Sequence, residues 1–236
     1  MAADDRRRET MLRNMKFERL APSLLYRSLN NAVTKFLTSP TRDKSILAKC
    51  RAYLQAEIEA SINPQQRENL TYETRALDAF ENSLNALPMA GANFEHAPQA
   101  TAPITYSQVH ISVWPMARVR VIRPRGATLI GALIVDLAKG ITPRTEAAKE
   151  RLTDEMTFSA VLLHEFAATN LVNDGEKSSP EHCWIFHSHR QQLLAAPNAY
   201  KKILANIEAA CQHISRGWDD IKPPETFDAK FASYRS

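Results

Sequence analysis

The chain has 236 residues, 44% hydrophobic and 24% charged, proportions of an ordinary globular protein and unlike those of a disordered, collagenous or disulfide-stapled chain. A formal net charge of +4 permits an acidic partner such as nucleic acid without requiring one, and only six glycines leave little scope for a phosphate loop. No apolar run approaches the roughly 18 residues of a membrane span, the charged opening MAADDRRRETMLRNMKF lacks a signal-peptide core, and Cys50, Cys183 and Cys211 are spaced as in a cytoplasmic protein.

Helical spacing runs over residues 8–19 and 22–38, with Leu25, Leu29, Val33 and Phe36 on one face. Thr41 or Asp43 then caps a helix to about Ser61 that turns Ile46, Cys50, Tyr53, Leu54 and Ile58 inward. Pro64 suits the first turn of a further helix to about Leu87, with Leu70, Leu77, Phe80, Leu84 and Leu87 as its stripe. Residues 88–104, rich in proline and small side chains, read as a loop.

Strand composition follows. Val109 to Val113 and Arg118 to Ile122 alternate, while Thr128 to Leu137 is an almost unbroken apolar run, the pattern of a strand covered on both faces. Pro124-Arg125-Gly126 marks a turn between the last two. Thr145 opens a long helix to about Asn170, 173–181 is a loop, His182 to Arg190 a strand, and Asn198 to about Ser215 a helix. The expected fold is α/β: a central mixed sheet of about four strands flanked by helices, with a helical N-terminal extension. Residues 1–88 form that helical region, 89–216 the core with the 64–87 helix packed on it, and 217–236 an extended tail.

Charge is unevenly spread. No acidic residue lies between Glu95 and Asp136, yet Arg118, Arg120, Arg123 and Arg125 crowd one stretch. Four phosphate contacts from these would give a log–log salt slope of about −3.6. The other reading is a solubilising rim on a hairpin.

An acid-bearing helix, three strands, a crossover helix and a fourth strand resemble the core of the PD-(D/E)XK nuclease superfamily, especially its RecB-like branch. Ile134-Val135-Asp136-Leu137-Ala138-Lys139-Gly140 looks like the branch's Asp-x-Lys-x-Gly strand ending, and Glu73 like its first-helix acid. The resemblance implies Mg²⁺ held by Asp136 and Glu73, hard carboxylate oxygens that help to activate water. Ala138 stands at the lysine position, so Lys139 joins the site only if the strand bulges, and Arg118–Arg120 falls where the second-strand acid would be. The implied protein has a degenerate nuclease centre and contacts DNA or RNA through Arg118, Arg120, Arg123, Arg125 and Arg190. It would work in an assembly that processes or defends against foreign nucleic acid, with a protein partner docked on the N-terminal helices.

His187 and His189 would share one face of a strand and form, with Asp136, an alternative metal site. They also suit phosphate contact beside Arg190, or purely structural roles. His164-Glu165 lacks the second histidine of a zinc-protease helix, and Cys183 in an apolar strand reads as inert core. Two further functions fit: an adaptor subunit without chemistry, and a metal-dependent hydrolase using His187 and His189.

Overall fold

The computed structural model describes residues 2–17, 26–98, 101–124, 126–138 and 143–223. In chain order its elements are α1 (Ala2–Phe17), α2 (Arg27–Thr38), α3 (Ser45–Ala60), α4 (Pro64–Ser83), β1 (Asn93–His96), β2 (Ile104–Tyr106), β3 (Val109–Ile111), β4 (Ala117–Val121), β5 (Thr128–Asp136), α5 (Glu146–Asn170), β6 (Glu176–His187), β7 (Gln192–Ala195) and α6 (Lys201–Gly217). They fall into two compact units. One, Leu25–Ile104 with Ile111–Leu204, carries the five-stranded sheet and α2 to α5; the other is Met1–Leu24, Thr105–His110 and Ala205–Ser236.

Local chemistry starts the helices where the sequence indicates. Asn63 accepts the amides of Gln65 and Gln66 with Pro64 in the first turn, and Thr145 accepts the Ala148 amide to open α5. Of the expected stripes, Leu29, Val33 and Phe36 on α2, Cys50 and Leu54 on α3, and Leu77 and Phe80 on α4 are buried, whereas Tyr53, expected to face inward, is 50% exposed, and Leu25 lies outside the described residues. Phe36 and Phe80 meet edge to face with centroids 6.1 Å apart.

The sheet runs β1-β4-β5-β6-β7. β1, β4 and β5 pair antiparallel, β5 and β6 pair parallel, and β7 returns antiparallel to β6. A parallel pair needs a long crossover, which α5 supplies by packing against both strands. Leu133, Val135 and Leu137 share one apolar core with Trp184, Phe186 and the buried faces of α2, α3 and α4. The alternate residues Ile130, Ala132 and Cys183 are fully buried too, as expected of central strands covered on both faces.

Three strand assignments need correction. The first strand of the meander is Asn93–His96, within the segment read as a loop, because only Phe94 of its four residues is buried. Val109–Ile111 belongs instead to a separate two-stranded sheet with Ile104–Tyr106. β6 begins at Glu176, in polar sequence read as a loop, and ends at His187, followed by a 3₁₀ turn Ser188–Arg190 and then β7. The central mixed sheet flanked by helices is as expected, and it has five strands.

The parallel register breaks between Ile130 and Ala132, where β6 inserts residues between Ser178 and Cys183. At this break a Cβ on Gly131 would lie 1.9 Å from the His182 carbonyl oxygen, so only glycine fits. In the other unit, Lys16 donates from Nζ to the Trp218 carbonyl at 2.5 Å, with the ammonium 5.6 Å from the indole centroid. Among the described residues no helix is long and apolar enough to cross a membrane.

Candidate functional site

Parallel pairing in register sets Asp136, the last residue of β5, opposite His187, the last residue of β6. Carboxyl ends of parallel strands are where α/β proteins gather ligand-binding groups, because both chains turn away there and leave a crevice. Asp136 Oδ2 lies 3.8 Å from His187 Nε2, and Asp136 Oδ1 accepts the Ala138 amide at 2.9 Å. Ser188 Oγ donates to the Asp136 carbonyl at 3.0 Å, tying the two strand ends together.

The environments of the pair differ. The Asp136 side chain is 47% exposed, whereas that of His187 is 3% exposed and its Nδ1 is buried without a hydrogen-bond partner. Burial pushes the imidazole below its ordinary pKa; the Asp136 carboxylate opposes that, and the charges of Arg190 and His189 add to it. His187 is thus held toward its neutral form at a point where three other charged or titratable groups are felt.

Glu73 comes from α4, which packs on the 3₁₀ turn Ser188–Arg190. Its residue is 7% exposed, and its carboxylate accepts the backbone amides of Tyr26 and Leu29, satisfying donors at the start of α2 that no side chain of α2 caps. Oε2 is nevertheless buried with no hydrogen-bond partner. Burial raises the Glu73 pKa and those two amides only partly offset it. Tyr26 links the two acids: burial raises its hydroxyl pKa, and the charges of Glu73 and then Asp136 raise it further. Its backbone is left-handed at φ 64°, an unusual conformation for a bulky residue.

The β4 arginines have partners within the sheet. Arg118 is buried and pairs with Glu95 of β1 and Glu176 of β6, while its Nε donates to the Leu171 carbonyl at 2.9 Å. Arg120 lies 3.6 Å from Glu95 and 3.7 Å from Glu176. Burial alone would raise the Glu176 carboxyl, but hydrogen bonds from Arg118 and the Asn173 amide outweigh it and hold its pKa low. Arg123 makes an exposed 2.9 Å pair with Glu181. Arg125 and Lys139 lie outside the described residues.

The structure thus pairs Asp136 with His187, lets the charges of Glu73 and Asp136 both reach Tyr26, and gathers Arg118 and Arg120 elsewhere, around Glu95 and Glu176. His189 lies in the 3₁₀ turn, so strand alternation does not relate it to His187. Among the described residues no three His, Cys, Asp or Glu side chains converge as a metal centre.

His164 and Cys183 both lie in the interior. His164 is buried, its ring centroid 4.6 Å from that of Tyr200, and burial lowers its pKa. Cys183 is fully buried, its thiol donating to the Ser179 carbonyl and pushed up to about 12 by burial. Tyr26 and Ser188 carried no motif; only tertiary placement brings them to the site. No protein-family model and no curated protein matches the chain.

Proposed function

We propose that this is a nucleic-acid-associated protein with a PD-(D/E)XK-like core whose nuclease centre is degenerate. The carrying observation is the order α4, β1, β4, β5, α5, β6, with an antiparallel meander, a parallel crossover and Asp136 ending the strand before the crossover helix. That is the arrangement the sequence resemblance leads one to expect, and Glu73 on the preceding helix acts on the same tyrosine as Asp136.

Asp136 and Glu73 are the residues that would hold Mg²⁺ in a site of this kind, where the ion would polarise a phosphate oxygen or lower the pKa of water. Ala138 at the lysine position and Arg118-Val119-Arg120 where the second-strand acid would fall support a centre with little or no cleavage activity. Arg123, whose pair with Glu181 is exposed, is a better candidate for phosphate contact than Arg118 and Arg120, which are held between Glu95 and Glu176.

Those internal pairs also favour a second reading, an adaptor that binds a protein partner through its helical half and does no chemistry. Titrating labelled single- and double-stranded DNA and RNA at several salt concentrations, with and without Mg²⁺ or Mn²⁺, separates the two. The nucleic-acid reading expects binding that weakens with salt, and any metal-dependent cleavage lost in Asp136→Ala. No binding at low salt would favour the adaptor, and cleavage that survives Asp136→Ala would remove the proposed centre.

A further inference from the structure

A pocket of about 430 Å³ lies between the turn that follows α2 and strand β1, all four residues of which line it. That volume falls within the roughly 300–1,000 Å³ of small-molecule sites. β1 is an edge strand and β4 separates it from β5, so the pocket is distinct from the Asp136–His187 pair. Pro40 takes the second position of the turn, which the Arg42 amide closes onto the Ser39 carbonyl at 3.0 Å. Arg42 then leaves the turn at φ 48°, in the left-handed region that glycine or asparagine fills at less cost. A long charged side chain kept at a strained position on a pocket wall points to a use for that side chain.

The guanidinium is held in place by main chain. Arg42 Nη2 donates to the Met89 carbonyl at 3.0 Å and the Ala92 carbonyl at 3.2 Å, and the group lies 5.5 Å from the Phe94 ring centroid. Both bonds leave from Nη2, so the Nε and Nη1 hydrogens are not spent on those carbonyls. Neither neighbouring acid answers the charge. Asp43 accepts the amide and hydroxyl of Ser45 at the start of α3, and Glu95, which also lines the pocket, is held by Arg118 and Arg120. His96 is oriented as well. Thr38 Oγ1 gives its hydrogen to the Thr34 carbonyl at 2.8 Å, so His96 Nε2 is the donor in the 3.1 Å contact between the two side chains.

We propose that this pocket binds a small organic anion whose carboxylate or phosphate monoester is gripped by Arg42. A guanidinium fork matches the paired oxygens of either group. Because two main-chain carbonyls already fix the fork, little side-chain freedom remains to be lost on binding. The pocket is many times the roughly 30 Å³ of a water-sized group, so it has room for an organic body beside Pro40 and the polar side chains of Ser39 and Asn93. The site goes beyond the nucleic-acid reading and shares no residue with the Asp136 end of the sheet.

Amide NMR of the full chain at constant ionic strength tests this with four probes: inorganic phosphate, phenyl phosphate, acetate and benzoate. Phenyl phosphate or benzoate should give saturable shifts at Ser39 to Arg42 and Asn93 to His96, with a Kd on the order of 1 mM or lower. Whichever of the two binds more tightly identifies the anionic group. Arg42→Gly suits the left-handed backbone, so it should fold and weaken that binding at least about tenfold. Should it fail to fold, Arg42→Lys, which keeps the charge and loses the fork, serves with the same expectation. No saturable shift with any probe, equal affinity for an organic probe and its bare counterpart, or unchanged affinity in the folded variant overturns the proposal. None of these outcomes touches the nucleic-acid reading, which stands or falls by salt-dependent binding and Asp136→Ala.

Discussion

Asp136 and His187 end neighbouring parallel strands in register, the carboxylate oxygen 3.8 Å from the imidazole Nε2, one side chain half open to solvent and the other enclosed. This pairing has a direct consequence for titration. The carboxylate is the charge that favours the imidazolium, while burial, Arg190 and His189 disfavour it. Asp136→Asn should therefore lower the His187 pKa further, as read from its ring-proton NMR titration; an unchanged or higher value would contradict the pairing.

The same shift links stability to pH. His187, His164 and His182 all have folded-state pKa values lowered chiefly by burial from 6.5. The unfolded chain then takes up protons first as pH falls, so their contribution is intact above about pH 6.5 and is lost between there and the lowered folded values. Urea midpoints measured from pH 8 to pH 5 should decline over that window. His164→Phe should flatten the decline, and an unaltered slope in that variant would exclude His164 from the linkage.

Glu73 works with the opposite sign. Its folded pKa is raised by burial, so ionisation costs stability as pH rises through the unfolded value near 4.5 and on to the folded one. Glu73→Gln retains an oxygen for the Tyr26 and Leu29 amides and removes the buried charge. It should stabilise the protein by roughly 1 kcal/mol at pH 7.5, with the gain shrinking toward pH 4. A loss of stability at neutral pH would contradict a net cost of the buried charge.

Arg118 holds two carboxylates at the sheet, one of them the largely buried Glu176. Arg118→Ala should cost about 3–5 kcal/mol in denaturant unfolding, because it strands charge in a poorly solvated place. Reduced nucleic-acid binding by that variant would reflect lost structure. Arg123→Ala, which removes one exposed pair, should change stability by less than about 1 kcal/mol and is the cleaner probe of phosphate contact.

Gly131→Ala forces a Cβ against the His182 main chain at the register break. A backbone atom cannot swing aside as a side chain can, so the strands must separate locally, at about 1–3 kcal/mol. A Tm equal to that of the parent would mean that the bulge relaxes freely.

Much of this architecture is legible in residue order, and the failures share one cause. Helices α4 and α5 announce themselves by their caps, α2 and α3 by 3.6-residue periodicity, and β5 by the length of its apolar run. Asn93–His96 and Glu176–Glu181 do not, since they are polar strand segments that depend on their neighbours for order. These are the segments that supply Glu95 and Glu176. A stretch from Arg118 to Arg125 without local acids therefore reads as a free basic patch, while the acids that neutralise Arg118 and Arg120 arrive from two other strands. Asp136 and Glu73 are legible through the resemblance; Tyr26, which both charges reach, has no signature because its place depends on where α2 begins.

Backbone amide NMR during addition of a short 5′-phosphorylated oligonucleotide tests directly whether the carboxyl end of the β5–β6 pair is the functional surface. The largest shifts are expected at Asp136, His187 to Arg190 and Tyr26, growing weaker as salt is raised. Shifts centred on the α2–α3 helical face, or none at low salt, would contradict a nucleic-acid site at that end of the sheet.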